Sequence, residues 1–215
     1  MPQVEESVTR DLLIGADSWL PPGLRENTAV SLAALIRARV LVSVLVCSMT
    51  LSVISLLVFV VVYLRAENGS LLPALITTAC LGVACLNYFY FYKTANLDAS
   101  GIFYSFSLFA ILVGSTVVTG GYHSPVKIML ICCPILSFLI SGRHEGFYNA
   151  ALVFVVGIIL LTLDQIDFKL IQIMPPDLLV YISGLSWFGT LVLIVLCLYI
   201  YDLLLDQKRS IRAKP

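Results

Sequence analysis

Charge is what this chain has least of: 12% of its 215 residues are Asp, Glu, Lys or Arg, 60% are hydrophobic, and there are two histidines. A soluble domain of that composition would expose apolar patches too large to stay in solution, so the bilayer is the expected solvent. Acids and bases cancel to a formal net charge of zero, which removes the electrostatic footprint of a nucleic-acid-binding protein. No ionisable side chain falls near the centre of an apolar run, where a charge is costly unless function retains it, and that absence argues against an ion-coupled transporter. No internal repeat of the kind that supports alternating access is present either. His123 and His144, the only imidazoles, fall on opposite sides of the membrane in the topology derived below, so no histidine-based metal site forms within one subunit. No nucleophile and base stand at catalytic spacing. Neither catalytic residue, metal nor cofactor is expected.

The six cysteines, Cys47, Cys80, Cys85, Cys132, Cys133 and Cys197, all lie in apolar runs, where a thiol packs as a small apolar group. Cys132 and Cys133 are adjacent, not spaced as a metal knuckle. Asn68-Gly69-Ser70 matches a glycosylation acceptor but reads as a turn.

Hydrophobic length is what the chain does have. Against about 20 residues per crossing, the apolar runs predict an all-α integral membrane protein. It is a six-transmembrane-helix bundle with spans at about 40–64, 71–92, 100–118, 126–140, 147–163 and 178–205. Residues 1–39 form an amphipathic cytoplasmic N-terminal segment, in which Val4, Val8 and Leu12 share one helical face before Pro21-Pro22-Gly23 breaks it. Asn27 or Thr28 caps a second helix through Leu32, Leu35 and Ile36 into the first span. Residues 206–215 begin a cytoplasmic helix, because no breaker interrupts the run from Leu191 to Ile211.

Basic residues set the orientation. Arg25, Arg37, Arg39, Lys93, Arg143, Lys208, Arg209, Arg212 and Lys214 fall on one side, and Arg65, Lys127 and Lys169 on the other. Both termini are therefore expected in the cytoplasm. The outer face then carries Glu67, Asp164, Asp167 and Asp177 and the turn between spans three and four.

That turn, Thr119-Gly120-Gly121-Tyr122-His123-Ser124-Pro125, is the main polar feature. Gly120 and Gly121 can take positive φ, Ser124 before a proline is pushed to extended backbone, and Pro125 suits the first turn of the next helix. Thr119, Tyr122, His123 and Ser124 supply donors and acceptors and, with Trp187 in the outer half of span six, are the candidate ligand-binding residues. His123 is the one the turn needs least, and an imidazole can make a site pH-responsive. Gly120, Gly121 and Pro125 shape the turn. Pro134, inside span four, is expected to kink it and act as a hinge. Asn87-Tyr88-Phe89-Tyr90-Phe91-Tyr92-Lys93 reads as an aromatic anchor at the inner interface. Gly114, Gly157, Gly184 and Gly189 mark close helix packing.

After the turn come Pro134, then Ser141-Gly142-Arg143-His144-Glu145-Gly146, then a fifth span from Phe147. This order resembles the multi-helix N-terminal sensor regions of bacterial signal-transduction proteins, chiefly sensor histidine kinases and some nucleotide cyclases. It is most similar to the six-helix receptor domains of quorum-sensing kinases. In them a third span ends in Thr-Gly-Gly-x-x-Ser-Pro before a proline-bearing helix and a short Gly-Arg inner loop. The likeness covers roughly residues 70–205, and departs from the family in the loop before span three, whose glycine comes late, at Gly101. The resemblance implies an input domain in the bacterial inner membrane, homodimeric, that binds a small-molecule signal and drives a kinase or cyclase output domain in cis beyond Pro215. The phosphoacceptor histidine and ATP-binding region have no match here, so kinase activity is not carried over. Two other classes stand beside it: a small-solute transporter or channel subunit, and a membrane-integral scaffold or enzyme subunit without a ligand.

Overall fold

The computed structural model describes residues 18–25, 32–65, 71–166, 168, 179–195 and 198. All regular structure among them is helical. Helix α1 spans Leu32–Arg65, α2 Leu72–Thr94, α3 Leu97–Val118, α4 Cys132–Ile140, α5 Arg143–Gln165 and α6 Leu179–Val195. Helices α1, α2, α3 and α5 are each long and apolar enough to cross a membrane, whereas α6 and the Pro125–Ile140 segment that contains α4 are shorter. Helices suit such sequences because lipid offers the backbone no hydrogen bonds, so each N–H must find its carbonyl within the segment. Leu57, Leu64, Phe154 and Val180 are exposed on the outside of the bundle, as lipid contact requires and water would penalise.

Two expected spans differ in form. The helix expected through Leu35 and Ile36 is not separate from span one: α1 is continuous over 34 residues, roughly 50 Å at 1.5 Å each, because no Gly or Pro interrupts it. Span four is not one kinked α-helix. Pro125–Ile131 is a 3-10 helix and the α-helix begins at Cys132. Pro134 stands in the first turn of that α-helix, just after the 3-10 segment gives way to it.

Short connections fix the neighbours. Pro73 occupies the first turn of α2. Ala95 closes α2 in left-handed backbone at φ 51°, its N–H donating to Phe91 O at 2.8 Å. Asn96 then caps α3 by accepting from Ala99 N at 3.1 Å, as a polar N-cap does. The chain therefore reverses tightly between α2 and α3.

Packing divides into two clusters. One, at the Arg37 end, joins Leu41, Leu45, Phe91, Tyr104, Leu136 and Ile140. The other, at the Gly120 end, joins Phe59, Leu112, Val126, Leu130 and Ile182. Close approach uses Gly101, where a Cβ would lie 2.5 Å from Ser141 Oγ, and Gly146, where it would lie 2.3 Å from Phe138 Cγ. Gly114, Gly157 and Gly184 instead have open space around the missing side chain, and Gly189 has only Met129 Cε, at 3.5 Å. Within this chain the tight helix contacts fall at Gly101 and Gly146, not at Gly114, Gly157 or Gly184.

At the Arg37 end, Arg37 Nη1 lies 3.6 Å from Asp98 Oδ1 and donates to Ser141 O at 3.3 Å, tying α1 to α3 and α4. Leu20 enters the core there, and Tyr88 Oη, within the aromatic run of α2, donates to Trp19 O at 3.3 Å. Two buried amides bridge helices: Asn87 Nδ2 donates to Ser100 O at 3.0 Å, and Asn149 Nδ2 to Ser137 Oγ at 2.7 Å. The helix around Val4, Val8 and Leu12, the cap at Asn27 or Thr28, the Asn68 turn, Cys197 and the exit helix beyond Leu203 lie outside the described residues.

Candidate functional site

The turn after α3 is built from hydroxyls. Val126 N–H donates to Ser124 Oγ at 3.1 Å, Thr119 Oγ1 and Ser124 Oγ are 2.5 Å apart, and Thr119 Oγ1 donates to Ser115 O at 2.6 Å. These contacts allow a single proton order, Val126 N–H to Ser124 to Thr119 to Ser115 O, in which each hydroxyl accepts once and donates once. Thr119 and Ser124 are buried, and their protons are spent on holding the turn. Gly120 and Gly121, at φ 113° and 61°, supply the left-handed backbone that lets Gly121–His123 form a 3-10 turn.

Tyr122 and His123 lie on the outside. Lys127 Nζ sits 4.2 Å from the centroid of the Tyr122 ring and also donates to Tyr122 O. The Tyr122 ring stands edge-on to His123 at 5.6 Å. His123 Nε2 contacts Asp164 Oδ1 at 3.0 Å, which brings the end of α5 to the turn. Trp187 is 61% exposed on α6. The sequence-derived candidates therefore separate into a buried clasp, an outer surface network and an outward-facing indole.

Sequence reasoning missed a cavity of about 190 Å³ between the two core clusters, lined by α1, α2, α3, α6 and the 3-10 segment. The Ser48–Tyr104 hydroxyl pair, 2.5 Å apart, lines it toward the Arg37 end. Phe59, Thr119 and Val126 line it toward the turn. Thr119 is thus the one sequence candidate that reaches the cavity. A signal was present: Ser48, Ser52 and Ser55 fall at spacings of four and three residues in an apolar helix, which puts them on one face. Ser52 and Ser186 are 8% and 4% exposed and line the cavity, and among the described residues neither hydroxyl has a hydrogen-bond partner. No cluster of His, Cys, Asp or Glu suited to a metal occurs among the described residues.

These features define a helical membrane protein with an apolar cavity between its helices and a polar turn at one end. No protein family, curated protein or solved structure matches the chain.

Proposed function

We propose that the chain is the membrane-embedded input domain of a bacterial signal-transduction protein. Six helices cross the inner membrane, with both termini in the cytoplasm and the Gly-Gly turn outside. A small signal bound in the outer half shifts the last helix, and that shift controls a kinase or cyclase output domain carried by the same polypeptide, within a homodimer. The observation that carries this reading is the cavity, whose lining runs from Thr119 of the turn to Ile182, Ser186 and Gly189 of α6. A ligand there touches both the outer turn and the helix that leads to the C-terminus. Such a ligand shifts a two-state equilibrium only by its differential affinity, typically about 1–3 kcal/mol.

The test is sidedness followed by response. In cells expressing a variant without the native cysteines, His123→Cys should react with an impermeant maleimide, whereas Asp98→Cys should react only after permeabilisation. The reverse pattern ends the sensing interpretation. With a histidine-kinase output domain fused after Pro215, a responsive input domain alters autophosphorylation in a dose-dependent way. Solute flux through sealed vesicles, with no change in the kinase, marks a transporter instead.

A further inference from the structure

Several properties of the cavity restrict what can occupy it. None of its lining residues carries a formal charge, so an ion entering it would lose its hydration with no partner in return. The lining on α1 runs from Ser48 to Phe59, roughly 16 Å along the helix axis, so the space suits a chain better than a compact ring system. Ser52 and Ser186 are buried residues that line the cavity, and their hydroxyls have no hydrogen-bond partner among the described residues. Elsewhere in the bundle Thr77, Ser115 and Thr116 satisfy themselves on the carbonyl four residues back. Ser100, Ser105, Ser141 and Thr190 also carry hydroxyls without a partner among the described residues, but none of these four lines the cavity, whereas Ser52 and Ser186 do. Ile54 and Phe188, also on the lining, are 45% and 56% exposed on the outer surface of α1 and α6, and give the cavity a side opening toward lipid.

We infer that this cavity binds a neutral single-chain amphiphile, an aliphatic molecule with one hydrogen-bonding oxygen, which enters from the bilayer past Ile54 and Phe188 and presents that oxygen to Ser52 and Ser186. This names the ligand class of the proposed input domain; its signalling role rests on that reading, whereas its binding does not. A phospholipid acyl chain shares the aliphatic chemistry, but no cation lines the cavity to hold a phosphate.

The experiment uses the full chain in phosphatidylcholine nanodiscs with a diazirine analogue of 1-dodecanol, the labelled peptides being mapped by mass spectrometry. Labelling of the α1 and α6 lining peptides should saturate and should be competed by 1-dodecanol but not by dodecanoate. Ser52→Ala should raise the half-saturating concentration roughly 3- to 10-fold, the worth of one hydrogen bond, with an unchanged melting temperature. Ser52→Leu, which fills the space, should abolish saturable labelling. Labelling that never saturates, that dodecanoate competes equally, or that ignores the Ser52→Ala/Ser186→Ala double substitution overturns the site. Labelling that appears only after phospholipid is exchanged for dodecylmaltoside identifies a resident phospholipid chain and overturns the single-chain assignment. Saturable labelling without any response from the fused kinase upholds the site and removes the receptor reading.

Discussion

His123 Nε2 stands 3.0 Å from Asp164 Oδ1, across 41 residues of sequence, so the Gly-Gly turn and the end of α5 are tied at one end of the bundle. The His123 side chain is 76% exposed and that of Asp164 32%. A pair so open to water contributes at most about 1 kcal/mol. His123→Gln and Asp164→Asn should each therefore lower unfolding stability by less than about 1 kcal/mol, read from thermal unfolding in nanodiscs. A larger loss would make the contact a structural strut. If the turn takes part in signalling, the same substitutions should displace the dose response of a fused kinase well beyond their effect on stability.

A sharper effect on stability belongs to Gly146. A Cβ there would lie 2.3 Å from Phe138 Cγ and 2.5 Å from Phe138 Cδ1, and Phe138 is itself edge-on to Phe147 at 5.1 Å. Gly146→Ala should destabilise the α4–α5 pair by about 1–3 kcal/mol through overpacking. Adding Phe138→Leu should recover most of that loss. Gly157→Ala, eleven residues along the same helix with open space around it, should be neutral or slightly stabilising, since alanine is the better helix former. Equal losses at both positions would contradict the packing described.

How far the sequence anticipated this architecture depends on which force decides each feature. Hydropathy located the long helices because lipid imposes one rule on every residue of a span. It did not separate the 3-10 segment Pro125–Ile131 from α4, since both are apolar and differ only in backbone hydrogen bonding. Turn chemistry was legible at Gly120, Gly121 and Pro125 because backbone sterics act locally. The packing glycines were not: Gly101 and Gly157 have the same chemistry, and only the neighbouring helix distinguishes them. Likewise the sequence marked Thr119 and Ser124 as hydroxyl-bearing candidates but did not encode the mutual hydrogen bond that joins them in the clasp. The Asp164 partner of His123 and the cavity between the clusters depend on contacts between distant segments, which periodicity does not encode.

Asn149 and Ser137 offer a test of interhelical polar bonding. Asn149 Nδ2 donates to Ser137 Oγ at 2.7 Å, and both residues are buried, so the bond joins α5 to α4 within one helical turn of the Phe138 contact at Gly146. Hydrogen bonds between membrane helices average near 0.6 kcal/mol, with a maximum of about 1.7. A double-mutant cycle with Asn149→Ala and Ser137→Ala should return a coupling energy in that range. Coupling near zero would mean that the two side chains do not share a bond in the folded bundle.

The Ser48–Tyr104 pair decides whether the cavity has a floor. Tyr104 is buried within the Arg37-end cluster, and its hydroxyl meets Ser48 Oγ at 2.5 Å, so the two oxygens terminate the apolar space from α1 and α3 together. Tyr104→Phe keeps the ring and removes one partner, leaving the Ser48 hydroxyl without its bond in a dry setting, at a cost of about 1–3 kcal/mol. Ser48→Ala combined with Tyr104→Phe removes both polar groups and should be less destabilising than the sum of the single changes. The same double variant keeps the volume nearly constant, so binding of an aliphatic probe should survive it. Tyr104→Ala opens the floor instead: it should cost about 3–5 kcal/mol, as large-to-small core changes do. It should also let longer-chain probes bind than the original cavity accepts. Unchanged chain-length selectivity in a folded Tyr104→Ala variant would show that Tyr104 does not bound the space, and that the two core clusters are separated by something other than this pair.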